Sequence, residues 1–338
     1  VGMTRANLCD PELPNKAREG RLDEIRYCIA CNEGCLNHGG SGLTCAINPS
    51  VGREAYTQIT PVETKKRVMV IGGGIAGMEA ARVAALRGHE VTLYEKESQL
   101  GGQLQIAAKA PGRVDMAEPV RYFTRQFELL EVPVQLGVVV DEELVRREKP
   151  DAVIVATGGL PAWLAVEGID EEGKAVGVNV VLAREVLDGK AEVVGEKVAI
   201  LATDQGMEGL TTADYLAERG KQVEVLIPYP NVGARLEALV TRWVIMDRLA
   251  RKDVRLSIMT AVKAVRDGVI YVYSPPNGPE RPLEGVRTLV ISAGSRADDA
   301  LWKALRGQVK EIHNAGESVS PRRLLASSLD GLQAGLRV

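Results

Sequence analysis

The sequence predicts an α/β fold in which two parallel-sheet, dinucleotide-type domains follow a small cysteine-rich segment. Three observations predict it. Gly72, Gly74 and Gly77 stand in G-x-G-x-x-G order between an apolar strand and a helix, and an acid, Glu95, closes the unit. The same strand–helix–strand frame recurs in the second half of the chain. Four of the five cysteines fall between Cys28 and Cys45.

Length and composition bound the answer. The chain has 338 residues, enough for two or three domains with sizeable cores. A 45% apolar content and a formal net charge of −3 describe a mildly acidic globular chain. No basic stripe argues for nucleic acid. No apolar run reaches membrane-spanning length and no signal peptide is visible, so a cytoplasmic location is expected. The first residue is Val and the chain opens mid-pattern, as a piece of a longer polypeptide would.

In residues 1–20, Asp10, Pro11 and Pro14 mark a turn, and Val1, Met3, Leu8 and Leu13 point to a packed segment. Cys9 reads as a small buried or half-buried side chain. Residues 21–60 carry Cys28, Cys31, Cys35 and Cys45, the pattern C-x2-C-x3-C-x9-C, with Gly34, Gly39, Gly40 and Gly42 among them. Clustered cysteines in an intracellular chain point to metal rather than disulfides. Four thiolates suit zinc or an iron–sulfur cluster. Three bunched cysteines and one remote one fit a [4Fe–4S] cluster better than the two paired knuckles of structural zinc, and the glycines let the chain wrap tightly. His38 lies in the same loop and reads as a surface histidine.

Val68–Ile71 reads as a buried parallel strand. Gly72 permits the tight turn out of it, and Gly74 leaves room for a pyrophosphate to approach the backbone. Ile75 and Ala76 begin a helix whose free N–H groups and positive dipole end face that phosphate, and Gly77 lets helix and strand pack closely. Gly88 ends the helix, Val91–Tyr94 forms the next strand, and Glu95, followed by Lys96, is placed for ribose hydroxyls. The Gly101-Gly102-Gln103 turn brings backbone toward a flat ring. Residues 116–131 show a helical stripe of Val120, Phe123, Phe127 and Leu130. The strand Ala152–Ala156 breaks at Thr157 and Gly158, at a carboxyl end where ligands of open α/β sheets sit.

The second half repeats the frame. Val198–Leu201 is a strand, Leu210–Arg219 a helix and Val223–Ile227 a strand, and Gly209 and Gly220 are spaced as Gly77 and Gly88 are. The phosphate loop is altered: Ala202 is read in place of the first glycine, and Asp204 and Glu208 bring negative charge where a pyrophosphate would sit. Ile227 stands where the ribose acid is expected. Further strands are expected at Tyr271–Tyr273 and Thr288–Ser292. Gly316 and Glu317 make a turn before a helix at Leu324–Leu336, where an acid can bond ribityl hydroxyls.

Taken together, VGMTRANLCDPELPNKAREGRLDEIRYCIACNEGC, IGGGIAGMEAARVAALRGHEVTLYEK, QLGGQL and AGESVSPRR resemble the C-terminal half of the iron–sulfur members of the Old Yellow Enzyme family. That family includes 2,4-dienoyl-CoA reductase and trimethylamine, dimethylamine and histamine dehydrogenases. The resemblance implies a (β/α)8 barrel that holds FMN and carries the substrate chemistry, of which only the last strand and helix would lie here, at 1–20. It implies a [4Fe–4S] segment at 21–60 and a glutathione-reductase-like pair of Rossmann-type domains. These would be an FAD (or ADP) domain at 61–180 and 288–338, and a degenerate NAD(P)-type domain at 181–287. Arg5 matches an arginine used at the FMN phosphate. Glu317 replaces the family's usual Asp at the last flavin motif. The cysteine spacing resembles the reductases, whereas the altered second loop resembles the amine dehydrogenases, which pass electrons to an electron-transferring flavoprotein. The resemblance thus implies an amine dehydrogenase or N-demethylase, with an NAD(P)H-dependent enoate reductase or a separate electron-transfer subunit as alternatives. An FMN barrel on the same or another chain and an oligomeric state are also expected. Catalytic residues for the substrate step would lie in the barrel, so none is assigned.

Overall fold

The computed structural model describes residues 2–36, 42–236 and 241–338. His38, Gly39 and Gly40 lie outside the described residues. Two short helices come first, α1 (Thr4–Cys9) and α2 (Leu13–Arg18). There follow β1 (Arg67–Ile71), α3 (Ile75–Leu86), β2 (Glu90–Glu95), α4 (Gln103–Ala108), α5 (Glu118–Leu129), β3 (Val134–Leu136), α6 (Glu142–Glu148), β4 (Ala152–Val155) and β5 (Gly159–Pro161). The chain continues with β6 (Asn179–Leu182), α7 (Ala183–Asp188), β7 (Lys197–Ala202), α8 (Glu208–Ala217), β8 (Gln222–Ile227), α9 (Thr241–Arg251) and β9 (Arg255–Ile258). Then come β10 (Ala261–Arg266), β11 (Val269–Tyr273), β12 (Arg281–Leu283), β13 (Val286–Ser292), β14 (Ser295–Ala297), α10 (Ala300–Leu305), β15 (Ile312–Asn314) and α11 (Leu324–Arg337).

The chain divides into two units. The first comprises residues 1–105, 115–160 and 296–338, the second 106–114 and 161–295. The first unit holds a parallel five-stranded sheet in the order β15-β4-β1-β2-β3. Val68, Val70, Ala152, Val153, Ile154 and Val155 are buried in it, as expected of strands covered on both faces. Helix α3 packs on this sheet and α11 packs on α3. A Cβ at Gly331 would lie 2.2 Å from the Ala76 carbonyl oxygen, so only glycine allows that approach. Phe123 and Phe127 of α5 fill the same core, while Val120 and Leu130 border it.

The second unit holds a parallel sheet ordered β6-β13-β7-β8-β9 and a smaller antiparallel sheet, β10-β11-β12. The order β4-β1-β2 in the first unit and β13-β7-β8 in the second is the structural form of the repeat seen in the sequence.

Two expectations change. Thr288–Ser292 was assigned to the first nucleotide domain, but β13 is hydrogen-bonded between β6 and β7 and completes the second unit's sheet. The two compact units part at 160/161 and 295/296, with 106–114 also in the second, where the sequence leads one to expect limits at 180/181 and 287/288. Residues 2–20 were expected to hold a barrel's last strand and helix. The described residues 2–20 form α1 and α2.

Candidate functional site

The first unit's glycine loop lies at the carboxyl ends of β1 and β4, where the strand order reverses and ligands of open sheets bind. Each glycine meets a different constraint. Gly72 has φ +108° and a Cβ there would lie 2.3 Å from the Ala156 carbonyl oxygen. At Gly77 a Cβ would lie 1.9 Å from the Gly72 carbonyl oxygen. Gly74 differs: nothing in the protein lies within 4 Å of a Cβ there. It is the N-cap of α3, with extended backbone and no side-chain cap. The helix's first N–H groups thus face open space framed by backbone, which fits an anionic phosphate. Ile75 and Ala76 are buried in the first turn.

The other predicted residues gather around this loop. The Glu95 carboxylate is 6% exposed and accepts the Gly73 N–H at 2.6 Å and the Glu97 N–H at 2.8 Å. A carboxylate offers about four acceptor positions, so it retains capacity for ribose hydroxyls. Lys96 is exposed. The Gly101 N–H donates to the Gly73 carbonyl at 2.8 Å, and Gly102 brings a Cβ position 3.6 Å from the Gly74 Cα. The Gln103 amide donates to Glu317 at 2.6 Å, joining two segments 214 residues apart. Gly316, at φ +77°, lies against Ala76, where a Cβ would come within 2.7 Å. The Thr157 hydroxyl donates to the Asp298 carbonyl at 2.6 Å, and the Asp298 N–H to the Gly158 carbonyl at 3.0 Å. All of these residues belong to the first unit and converge on one end of its sheet.

The cysteine segment packs on the same unit. Cys28, Cys31, Cys35 and Cys45 are half-buried free thiols, and Cys28, Cys31 and Cys45 pack against Cys9, Ile29 and Ile47. Among the described residues no three side chains of His, Cys, Asp or Glu are set at metal-ligating positions. The donor chemistry nevertheless fits a thiolate-bound cluster. The thiols of Cys31 and Cys35 each lie within electrostatic reach of Cys45. Burial pushes the Cys31 thiol up to about 12 and raises Cys35. Cys45 is driven the other way, first by the hydrogen bond that the Cys9 thiol donates to it, then by the Ile47 and Asn48 N–H groups and by Arg26, against the effect of burial. The neighbouring Cys9 is correspondingly raised by that bond and by burial. The Cys9–Cys45 hydrogen bond has no signature in the sequence, where Cys9 lies outside the C-x2-C-x3-C run. Arg5 donates to Asn32 Oδ1 at 2.6 Å and so sits beside the cysteine segment.

The second unit has the same frame and different chemistry. Ala202 ends β7, and the strand registers place it where Gly72 stands in the first unit: Leu201 pairs Leu226 as Ile71 pairs Tyr94. The connection to α8 runs from Thr203 to Met207, two residues longer than Gly72–Gly74, with its left-handed residue at Gln205. Asp204 accepts the Gly206 N–H at 3.1 Å, a donor of the loop that leads into α8. The Ser292 hydroxyl lies 3.2 Å from Asp204 Oδ1 and 3.3 Å from Glu208 Oε2, one hydrogen shared between two carboxyls. Burial raises the pKa of both, against the lowering effects of Ser292 on Asp204 and of Arg184 on Glu208. Ile227 ends β8 as Glu95 ends β2, and it is buried. Gly209 keeps the role of Gly77: a Cβ there would lie 2.9 Å from Ala202 Cβ.

Comparisons with known proteins agree with this architecture. The family model described as "Pyridine nucleotide-disulphide oxidoreductase" matches residues 66–317. A "Metal reductase" of Desulforamulus reducens is 33% identical over 96% of this chain and 52% of its own length. An "N,N-dimethylglycine/sarcosine dehydrogenase" of Chromohalobacter salexigens is 34% identical over 99% of this chain and 50% of its own. A solved 2-naphthoyl-CoA reductase complex superposes with a TM-score of 0.90 at 30% identity, over 99% of this chain and 50% of that one. The chain therefore spans about half the length of the relatives it matches. Among the described residues no helix is long and apolar enough to cross a membrane.

Proposed function

The chain belongs to the pyridine nucleotide-disulphide oxidoreductase family, and on that premise we propose that it is the electron-relay half of a flavin- and iron–sulfur-dependent oxidoreductase of the amine dehydrogenase or N-demethylase type. Its partners are an FMN-bearing barrel, on this polypeptide or another, and an electron-transferring flavoprotein. When bound, flavins exchange electron pairs or single electrons and a [4Fe–4S] cluster passes electrons singly.

The protein's own residues hold and orient these groups. Gly72, Gly74, Ile75, Ala76 and Gly77 present the α3 N-terminus to the pyrophosphate of FAD, or of ADP in its place. Glu95, with Lys96 beside it, receives the ribose. Gly102, Gln103, Thr157, Gly158, Gly316 and Glu317 border the rest of the dinucleotide, and the Gln103–Glu317 bond fixes two of them against each other. Cys28, Cys31, Cys35 and Cys45 ligate the cluster. Arg5 is assigned to the FMN phosphate, where the barrel would complete its surroundings.

One observation favours the amine dehydrogenase reading over a nicotinamide-driven reductase. In the second unit Asp204 takes a loop N–H that a phosphate would otherwise use, with Glu208 beside it, and Ile227 replaces the ribose acid. Anaerobic mixing of the FMN-loaded assembly with a methylated amine tests the proposal. Flavin bleaching, followed by electron transfer to an electron-transferring flavoprotein, is expected. No bleaching by secondary or tertiary methylamines, with bleaching by NADH, would replace it with the reductase reading.

A further inference from the structure

The most unusual charge in the first unit is Arg26. It is 8% exposed, and its backbone N–H donates to Asp10 at 2.8 Å. Its guanidinium donates to the Ile47 carbonyl at 3.0 Å and to the Tyr122 hydroxyl at 2.7 Å, and lies 4.5 Å from the Tyr122 ring centroid. Burial opposes its charge, yet Tyr122, Glu79 and Cys9 hold its pKa above the ordinary arginine value.

Buried charges are normally paired, because an uncompensated ion in a low-dielectric interior is costly. Arg26 has no carboxylate within 4.0 Å among the ion pairs of the described residues. The nearest candidates are committed elsewhere. Asp10 is paired with Lys16 at 2.7 Å. Glu79, also buried, is bonded through both oxygens to Arg82, at 3.0 Å and 2.7 Å. Arg26, Arg82 and Glu79 therefore leave one positive charge unmatched. Sulfurs are its neighbours: Arg26 stands two residues before Cys28, and the carbonyl it holds belongs to Ile47, which packs with Cys9, Cys28, Cys31 and Cys45.

We propose that Arg26 is a positioning residue whose fixed buried charge is the counter-ion of the thiolate-bound redox centre at Cys45 and raises that centre's reduction potential. This rests on the reading that the four cysteines hold an iron–sulfur cluster. Such a cluster is anionic, and reduction adds one negative charge, so a nearby buried cation favours the reduced form. Glu79 works in the opposite sense, because its negative charge acts on the same guanidinium. Tyr122 holds the guanidinium in place through its hydroxyl and its ring face.

The test is a potentiometric titration of the anaerobically purified holoprotein followed by electron paramagnetic resonance, with iron and acid-labile sulfide measured on each sample. Arg26→Gln should keep its iron and shift the midpoint to a more negative value. Arg26→Lys should restore most of the shift. Glu79→Gln should shift the midpoint to a more positive value. Opposite signs for Arg26→Gln and Glu79→Gln separate an electrostatic role from a packing role, which would disturb both in the same direction. Should Arg26→Gln fail to fold, the sign of the Glu79→Gln shift still decides. An iron-replete wild type whose midpoint does not respond to Glu79→Gln, or moves negative, overturns the proposal. A wild type without iron and sulfide overturns the cluster reading itself.

Discussion

Gly74 and Gly77 offer a prediction in which two neighbouring glycines fail for different reasons. Gly74→Ala adds a Cβ that meets nothing within 4 Å in the protein. Its intrinsic cost is that of alanine at an N-cap, about 1 kcal/mol or less. With a dinucleotide bound, the same methyl occupies the space in which a pyrophosphate approaches the loop. Displacing the phosphate breaks two charge-assisted hydrogen bonds from loop N–H groups, each worth about 1.5–3 kcal/mol. A total of roughly 3–6 kcal/mol corresponds to about 10²- to 10⁴-fold weaker binding. Gly77→Ala puts its methyl 1.9 Å from the Gly72 carbonyl oxygen, so helix and strand must separate. Overpacking of this kind costs about 1–3 kcal/mol and occasionally more, and it falls on the fold whether or not cofactor is present. The assay is flavin content and FAD titration of each variant, beside thermal melting of the apoproteins. Gly74→Ala should melt within a few degrees of wild type and bind FAD at least a hundredfold more weakly. Gly77→Ala should lower the melting temperature of the apoprotein. A Gly74→Ala protein with wild-type FAD affinity would refute the assignment of the loop to a pyrophosphate.

Two further predictions concern the cysteines and the buried acids. Cys31→Ala should abolish the broad visible absorbance of an iron–sulfur cluster while leaving FAD bound at the Gly72–Gly77 loop; stoichiometric zinc without iron in the anaerobic wild type would contradict it. Asp204 has a raised pKa because burial penalises its charge. The folded state therefore holds this proton more tightly than the unfolded chain. The resulting stability is present below the ordinary carboxylate range and is lost as pH rises through the raised value. Asp204→Asn should consequently raise the melting temperature of the second unit more at pH 8 than at pH 4, and an equal shift at both would show that the carboxyl does not titrate differently in the fold.

The sequence displayed the frame of the fold because the frame depends on local pattern. Gly72, Gly77 and Gly88 mark turns and close approaches that other residues cannot make, and Val68–Ile71 and Ala152–Ala156 are apolar enough to be buried on both faces. The limits of the two units were less legible. Thr288–Ser292 resembles Ala152–Ala156 in being an apolar strand that runs into a glycine, and only hydrogen-bonding between β6 and β7 decides which sheet takes it. The Gln103–Glu317 bond joins segments that each looked like a ligand turn, so their convergence was visible only as a shared resemblance. Arg26 carried no signal, and Cys9 signalled its burial but not its contact with Cys45. Each is an ordinary residue in a loop or short helix, and its importance lies in what it is buried against.

Reduction by nicotinamide tests the direction of electron flow most directly. A longer loop, two acids and Ile227 each remove an interaction worth about 1–3 kcal/mol to a dinucleotide, which weakens binding by roughly a hundredfold or more. In anaerobic stopped-flow, neither NADH nor NADPH at micromolar concentration should bleach the flavin of the holoprotein on the timescale of turnover. Rapid bleaching by either one would contradict the account and identify the second unit as a working nicotinamide site.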